Sequence, residues 1–259
     1  MERFRLYIFD LDGTLIRGKD ALPHAVSVTD SLRAVGSKIR YLTNNSSQTR
    51  SYYHDKLTRL GFTVQEDEIY SSGLGAALHL SAAGTHTAFV VGMPGLVSTI
   101  ADAGIVIVNR GPSGHVTPAG PPAEVVVAGI CLDFSYELMA AAMDQIRNGA
   151  DFIATNTDAT FPLEGTRLVP GAGSIVAGIQ TCSEKDPFVI GKPNPYLIQM
   201  ILQDAGCSPQ DVLVVGDRLE TDIAAGAAAG CHTHLVLTGV TRVAPPGQSV
   251  SSDLLALLG

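Results

Sequence analysis

Short apolar runs alternate with amphipathic stretches along most of the chain. Short apolar runs are typical of buried strands, and apolar residues three and four positions apart are typical of helices. The alternation therefore predicts βα units on a mainly parallel sheet, which is an α/β fold. The predicted strands cover residues 6–9, 38–42, 87–91, 125–127, 152–154, 188–190, 212–215 and 233–237. The predicted helices cover residues 24–35, 48–60, 73–82, 136–148, 172–181, 197–204 and 223–229. Residues 109–122, rich in Gly, Pro and Ser, predict a loop.

Composition and charge limit the class of protein. The 259 residues suit one large domain or two modest ones, and 46% of them are hydrophobic, as in a globular protein. The net charge of −8 argues against nucleic acid as the main partner, because a phosphate backbone favours a basic surface. No apolar stretch approaches the ~18 residues that span a bilayer. We therefore expect a cytoplasmic protein with no membrane partner and, since no cysteine has zinc or Cys-x-x-Cys spacing, with reduced thiols.

Two carboxylates follow the first predicted strand directly, in the segment Asp10-Leu11-Asp12-Gly13-Thr14. In open α/β sheets, ligands bind beyond the carboxyl ends of the strands. Asp10 could attack phosphorus and form an aspartyl-phosphate, while Asp12 could protonate the leaving oxygen and later activate water. Gly13 lets backbone N–H groups approach phosphate oxygens. The alternative is a turn in which one Asp caps the next element.

A second polar group, Thr43-Asn44-Asn45-Ser46, follows the strand over residues 38–42. Its hydroxyl and amide groups could hydrogen-bond a phosphoryl group near a helix N-terminus. Capping of the next helix by Ser46 or Ser47 explains part of the same pattern and is compatible with phosphate binding.

Two further strands end in charged residues. Lys192, held between Gly191 and Pro193, could neutralise both the nucleophile and the phosphate, although an exposed loop lysine is the alternative. Asp217 could bind Mg²⁺ together with Asp10, and Asp222 could be a further ligand or a supporting group. Here the alternative is an acidic helix N-terminus. Together the four strand ends supply the groups that phosphoryl transfer needs.

In this order the motifs resemble those of the haloacid dehalogenase superfamily of phosphohydrolases. The resemblance implies a Rossmann-like core, with Asp10 as nucleophile and Asp12 as general acid and base. It implies that Thr43 and Lys192 bind phosphate. It also implies Mg²⁺ held by the side chains of Asp10 and Asp217 and the backbone carbonyl of Asp12, with support from Asp222.

The segments Tyr41–Ser46, Ala154–Asp158, Pro170–Gly173 and Gly191–Pro193 look like the branch of NagD and the p-nitrophenyl phosphatases. That branch inserts an α/β cap that selects small phosphate esters and often forms dimers. The resemblance implies a catalytic core of residues 1–79 and 186–259, and a smaller cap of residues 80–185 with a possible homodimer contact. The cap loop at residues 156–163 is expected to select the leaving group. Cys131 replaces an Asp that is frequent in such caps.

The same motifs suggest three other functions. A phosphotransferase or mutase could use the same core, and nothing in the sequence tests for it. A dehalogenase has no leaving oxygen to protonate, so Asp12 argues against it. A catalytically silent phosphate-binding regulator would not need intact Asp10, Asp12, Lys192 and Asp217. We therefore expect a Mg²⁺-dependent phosphomonoesterase for a sugar phosphate, nucleotide, phosphoglycolate or pyridoxal phosphate, without a named substrate.

Overall fold

The chain divides into two compact units in the computed structural model, which describes residues 3–162 and 168–258. The first unit comprises the residues up to Thr43, Ser51–Tyr70 and the residues from Lys192 onward. The second comprises Asn44–Arg50 and Ser71–Gly191, and it is nearly as long as the first. The units change at residues 43/44, 50/51, 70/71 and 191/192, whereas the expected boundaries lie at 79/80 and 185/186. The assignment of the first unit as catalytic core and the second as cap stays a prediction.

Strands and helices alternate through both units. The described strands are β1 (Leu6–Asp10), β2 (Ile16–Arg17), β3 (Asp20–Ala21), β4 (Lys38–Thr43), β5 (Ile69–Ser71), β6 (Thr87–Val91), β7 (Val106–Ile107), β8 (Val125–Ala128), β9 (Asp151–Ala154), β10 (Thr160–Pro162), β11 (Leu168–Pro170), β12 (Phe188–Val189), β13 (Val212–Gly216), β14 (His232–Val236) and β15 (Val250–Ser251). The described α-helices are α1 (Ala25–Ala34), α2 (Arg50–Arg59), α3 (Ser72–Ala82), α4 (Pro94–Asp102), α5 (Tyr136–Arg147), α6 (Ala172–Ser183), α7 (Tyr196–Ala205) and α8 (Ala224–Ala228).

The main sheet of the first unit has the strand order β15-β14-β13-β1-β4-β5, and its neighbours from β15 to β4 pair in parallel. Phe9 lies opposite Val215, and Asp10 lies opposite Leu42. The central strands β1, β4 and β13 therefore end at the same edge of the sheet. The register places the residues that follow these strands close together.

Sequence explains why β1 lies at the centre. All five of its residues are buried, as expected for a parallel strand covered on both faces. Helix α1 packs on the same core through Ala25, Val28 and Leu32, which share one helical face. Helix α1 ends at Ala34 and is followed by Val35 and Gly36. Gly36 has a φ of +90°, the left-handed conformation that favours glycine after a helix.

The second unit contains a five-stranded parallel sheet in the order β12-β9-β8-β6-β7. Its core includes Phe89, Val126 and Phe152 from the strands and packs against helices α5 and α6. Helix α5 is capped at its N-terminus by Ser135, whose side chain accepts a hydrogen bond from the backbone N–H of Leu138. Two parallel-sheet units, a Rossmann-like core and an inserted α/β domain, confirm the predicted fold class.

Several local elements differ from the prediction, including the short strands β2, β3, β5, β7 and β15, which were not predicted. Helix α4 was not predicted, because Gly and Pro near its start obscure the helical spacing of Leu96, Val97 and Ile100. The antiparallel pair β10–β11 was also missed. The predicted helix at residues 223–229 instead starts earlier, as a π-helical turn at Leu219–Ile223. That turn carries Asp222 and so belongs to the candidate site.

All four cysteines are free thiols. Cys131, the residue in the expected place of an Asp, is buried in the core of the second unit, and burial raises its pKa to about 11. Helices long and apolar enough to cross a membrane are absent from the described ranges.

Candidate active site

Three carboxylates of the first unit meet where β1 and β13 end. Asp10, Asp217 and Asp222 each offer an oxygen atom, and these three atoms lie within 4.8 Å of one another. The side chains are nearly closed to solvent, with Asp10 9% exposed and Asp217 and Asp222 1% exposed. The parallel register brings Asp10 and Asp217 together, and the π-helical turn brings Asp222 back toward them.

Lys192 is the ammonium group within this cluster. Its Nζ donates to Asp10 Oδ1 at 2.6 Å and to Asp222 Oδ1 at 2.5 Å. The other oxygen of Asp222 accepts from the backbone N–H of Arg218 at 3.0 Å. Lys192 is 2% exposed, so the alternative of a solvated loop lysine is wrong.

With all three carboxylates ionised, the cluster carries more negative than positive charge, because one lysine balances only one of them. Burial raises the pKa of Asp10 well above its usual value, and the charges of Asp222 and Asp217 add to this effect while Lys192 opposes it. Burial, followed by the charge of Asp222, raises the pKa of Asp217 to about 6. For Lys192, burial favours the neutral amine, but Asp10 and Asp222 outweigh it and raise the pKa. The arrangement therefore suits an additional cation.

Two glycines allow the carboxylates to pack this closely. A Cβ on Gly13 would lie 2.6 Å from Asp217 Oδ2, and Gly13 has a φ of +96°, which other residues rarely adopt. A Cβ on Gly216 would collide with the side chain of Asp222. Gly13 thus sits against the carboxylate cluster, directly after Asp12.

The loop after β14 contributes to the site and was missed from the sequence. The backbone N–H of Val240 donates to Asp217 Oδ2 at 2.5 Å, and the hydroxyl of Thr238 donates to the carbonyl of Gly13 at 2.6 Å. Gly239 packs against Asp217, where a Cβ would collide. The signal was available, since the segment from Thr238 to Thr241 follows a strand of the same parallel sheet.

Asp12, Thr43 and Tyr53 form the polar surroundings of the cluster. Asp12 reaches solvent, yet desolvation by nearby protein atoms raises its pKa, against the lowering effect of Lys56 and Lys192. Thr43 is buried at the end of β4. Burial raises the pKa of Tyr53 well above its usual value; the charge of Asp12 adds to this rise and the Thr43 side chain opposes it. Sequence reasoning missed Tyr53, which sits on the buried face of α2.

Asn44 and Asn45, the other predicted phosphate ligands, belong to the second unit. The Asn44 side-chain amide donates to both carboxylate oxygens of Asp158, at 3.0 and 3.2 Å. Asn45 Oδ1 accepts from the backbone N–H of Ser47 at 2.9 Å, which is a local turn ahead of α2. Their role in binding phosphate stays a prediction.

The predicted leaving-group loop at residues 156–163 begins as a hydrogen-bonded turn. Asn156 Oδ1 accepts from the backbone N–H of Asp158 at 3.1 Å. Residue 163, at the end of that prediction, lies outside the described ranges.

Family models match both ends of the chain. Residues 7–106 match one described as haloacid dehalogenase-like hydrolase, and residues 189–255 match a related HAD hydrolase-like description. A glycerol-3-phosphate phosphatase from Gallus gallus is 35% identical over an alignment 266 positions long, which covers 97% of this chain and 85% of the relative.

Solved structures agree over nearly the whole chain. NagD from Escherichia coli K-12 has a TM-score of 0.84 at 30% identity, with 98% of each chain covered. A 4-nitrophenylphosphatase from Thermotoga maritima has a TM-score of 0.88 at 31% identity, covering 98% of this chain and 96% of that one. A glycerol phosphate phosphatase from Mycobacterium tuberculosis, solved in complex with magnesium, has a TM-score of 0.84 at 32% identity, covering 98% and 77%. This chain belongs to the haloacid dehalogenase-like hydrolases, in the branch of NagD and the p-nitrophenyl phosphatases.

Proposed function

We propose that the chain is a Mg²⁺-dependent phosphatase that hydrolyses small phosphate monoesters through an aspartyl-phosphate on Asp10. The observation that carries the proposal is the buried cluster of three carboxylates and one lysine at the carboxyl edge of the first sheet. The four similar proteins named above are phosphatases or NagD, and their names support the same class of reaction.

Asp10 is the proposed nucleophile because it is the last residue of β1 and its Oδ1 lies 2.6 Å from the ammonium group of Lys192. That contact favours the ionised carboxylate, which is the form that attacks phosphorus. Lys192 also places a positive charge where a phosphoryl group next to Asp10 would develop negative charge.

Asp12 is the proposed general acid and base. It reaches solvent, and desolvation raises its pKa, which favours the protonated form that an acid needs. Lys56, which lowers the pKa of Asp12, favours return to the ionised form. The two aspartates thus have different surroundings, as their two roles require.

The proposed reaction has two steps. In the first, an Asp10 oxygen forms a bond to phosphorus while the bond from phosphorus to the ester oxygen breaks, and that oxygen takes the proton of Asp12. In the second, water gives a proton to Asp12 and bonds to phosphorus while the bond to Asp10 breaks. The products are an alcohol and inorganic phosphate, and both aspartates return to their starting states. Thr43, Gly13 and the segment at Asn44 and Asn45 are proposed to hold the phosphate oxygens.

The residues present fit a divalent cation. Mg²⁺ prefers oxygen ligands, and three carboxylate oxygens converge in a site with surplus negative charge. Asp10 and Asp217 are the proposed side-chain ligands, and the backbone carbonyl of Asp12 is the third proposed ligand from the protein. Both oxygens of Asp222 already accept hydrogen bonds, so we assign it to supporting Lys192. When bound, Mg²⁺ would supply positive charge beside the phosphoryl oxygens and keep the carboxylates ionised.

The proposed substrates are small phosphorylated metabolites. Two of the four similar proteins named above are glycerol phosphate phosphatases, which makes glycerol 3-phosphate the first compound to try. Sugar phosphates, nucleotides, phosphoglycolate and pyridoxal phosphate complete the proposed panel. Selection among them by the second unit, and a homodimer through that unit, stay predictions.

Release of phosphate from p-nitrophenyl phosphate tests the proposal. We expect turnover with MgCl₂ and loss of turnover when the same protein is treated with EDTA, with recovery after Mg²⁺ is added back. The metabolite panel is then measured under the same conditions. Absence of turnover on every compound with Mg²⁺ present would favour a silent phosphate-binding regulator and contradict the proposed enzyme.

A further inference from the structure

A short turn of the second unit contacts a residue next in sequence to each of two proposed phosphate ligands, Thr43 and Lys192. We define the junction turn as residues 155–158. Asn44 directly follows Thr43, and Gly191 directly precedes Lys192. Both neighbours belong to the second unit and both contact the junction turn. The junction turn therefore contacts the direct sequence neighbour of Thr43 and that of Lys192.

The contacts on the Asn44 side are dense. The Asn44 carbonyl accepts from Asn156 Nδ2 at 2.7 Å and from the hydroxyl of Ser72 at 2.5 Å. The Asn44 amide donates to both oxygens of Asp158. Since a trans peptide is planar, fixing the carbonyl also fixes the orientation of the peptide that joins Asn44 to Asn45. Asn44 and Asn156 are 8% and 4% exposed, so water does not compete freely for these bonds.

The contacts on the Gly191 side come from the same turn. The backbone N–H of Gly191 donates to the carbonyl of Thr155 at 2.8 Å. A Cβ on Gly191 would lie 2.6 Å from both Asn44 Oδ1 and the Thr155 carbonyl oxygen. Only glycine permits this approach. The residue that follows Thr43 and the residue that precedes Lys192 are therefore packed directly against each other.

We propose that Asn156 and Asp158 are positioning residues, which set the backbone at Asn44 and Gly191 and thereby the side chains of Thr43 and Lys192. The inference rests on the proposed function, since it assumes that these side chains bind phosphate. Catalytic groups must be held closely, and a displacement of about 1 Å can cost up to about 100-fold in rate. Asp158 accepts two hydrogen bonds from one amide, so it fixes both the place and the rotation of Asn44.

Kinetics of the Asp158→Ala variant test this role, with Asp144→Ala on the exposed face of α5 as the matched control. We expect Asp158→Ala to lower kcat/KM for p-nitrophenyl phosphate about 10-fold or more. KM and the inhibition constant of inorganic phosphate should rise together. The Mg²⁺ concentration for half-maximal activity should not change, because the proposed metal ligands lie in the first unit. Asp158→Asn keeps one acceptor oxygen and should recover most of the loss.

Three results would overturn the inference. One is an Asp158→Ala variant whose kcat/KM and phosphate inhibition stay within about twofold of the parent. Another is a loss in kcat alone, with KM and phosphate inhibition unchanged, which would indicate a smaller folded fraction and no positioning role. If Asp158→Ala does not fold, Asn156→Ala decides, because it removes the donor to the Asn44 carbonyl. Unchanged phosphate inhibition in Asn156→Ala then rejects the proposal. Failure of the parent protein to turn over any ester would instead contradict the proposed function.

Discussion

Both units contain a parallel sheet, but the residues at the carboxyl edges of the two sheets differ in charge. In the first unit, strands β1 and β13 lead into Asp10 and Asp217, which are buried and charged. In the second, strands β6 and β8 lead into Gly92 and Gly129, and β9 leads into Thr155 and Asn156. The first edge has the charge that phosphoryl transfer needs, whereas the second has mostly neutral groups that hold backbone in place.

This difference has an energetic consequence. Burying a charge is costly unless it is paired, and one lysine does not pair three carboxylates. Buried amides that find hydrogen-bond partners cost little by comparison. We therefore expect the charged residues at the carboxyl edge of the first sheet to lower the stability of the fold while they serve activity. The residues at the carboxyl edge of the second sheet should lower stability much less. Matched substitutions of the same residue type in each unit can test this contrast.

The largest expected effect follows from Asp10→Asn. The amide has nearly the shape of the carboxylate but is a poor nucleophile, so turnover of p-nitrophenyl phosphate should fall by a factor on the order of 10⁴ or more. The fold should persist, as judged by circular dichroism. Asp151→Asn, which alters an exposed carboxylate at the start of β9, should retain full turnover. Appreciable activity of Asp10→Asn would contradict a covalent mechanism.

Lys192→Ala is expected to have the next largest effect. Loss of one preorganised cation beside the phosphoryl group should lower kcat/KM by a factor of about 10²–10³. The matched change in the second unit is Lys185→Ala, because Lys185 also pairs with an aspartate, Asp151, at 3.2 Å, but is 40% exposed. That pair is screened by water, so kcat/KM should change little. Equal losses in the two variants would remove the contrast between the two edges.

Sequence predicted the first edge well because strand order and chemistry coincide there. Asp10, Thr43, Lys192 and Asp217 each stand next to an apolar strand or within the turn that follows it. Since the carboxyl ends of parallel strands share one edge, the convergence of Asp10, Thr43 and Asp217 could be anticipated from the sequence. Lys192 instead follows β12, a strand of the second sheet, so strand order alone does not explain its place in the cluster. The cluster of Asp10, Asp217 and Asp222 matches that expectation in its geometry, while the catalytic roles stay proposals.

The residues that sequence reasoning missed act through backbone or by burial. Val240 contributes only its N–H, and Gly239 only the absence of a side chain, so neither has a distinctive residue type. Tyr53 looks like an ordinary apolar position of an amphipathic helix. The lock between Asn44 and Asp158 joins residues far apart along the chain, and no local pattern encodes such a pair. Helix α4 was hidden because Pro94 and Gly95 suggest a turn, although Pro is favourable at the first helical position.

Asp217→Asn tests the stability cost of the first edge directly, and it should raise stability while it lowers activity. The folded protein raises the pKa of Asp217 to about 6 through burial and the charge of Asp222. The unfolded chain ionises near the usual value of about 3.9, so above pH 6 the ionised group destabilises the metal-free fold by about 3 kcal/mol. Asn carries no charge and its oxygen can still accept from Val240. In EDTA at pH 7.5 the variant should therefore melt several degrees above the parent.

The direction of the pH dependence distinguishes the removal of a destabilising charge at Asp217 from a stabilising effect that does not depend on pH. As the pH falls through 6 toward 4, Asp217 becomes protonated in the folded parent, so the advantage of Asp217→Asn should shrink. Saturating Mg²⁺ should also shrink it, because a metal that binds the folded parent stabilises that state. Asp151→Asn, with its carboxylate mostly in solvent, should leave the melting temperature almost unchanged at every pH. A variant that melts below the parent at pH 7.5 in EDTA would show that Asp217 is not a destabilising charge, and the contrast between the two edges would then concern chemistry alone.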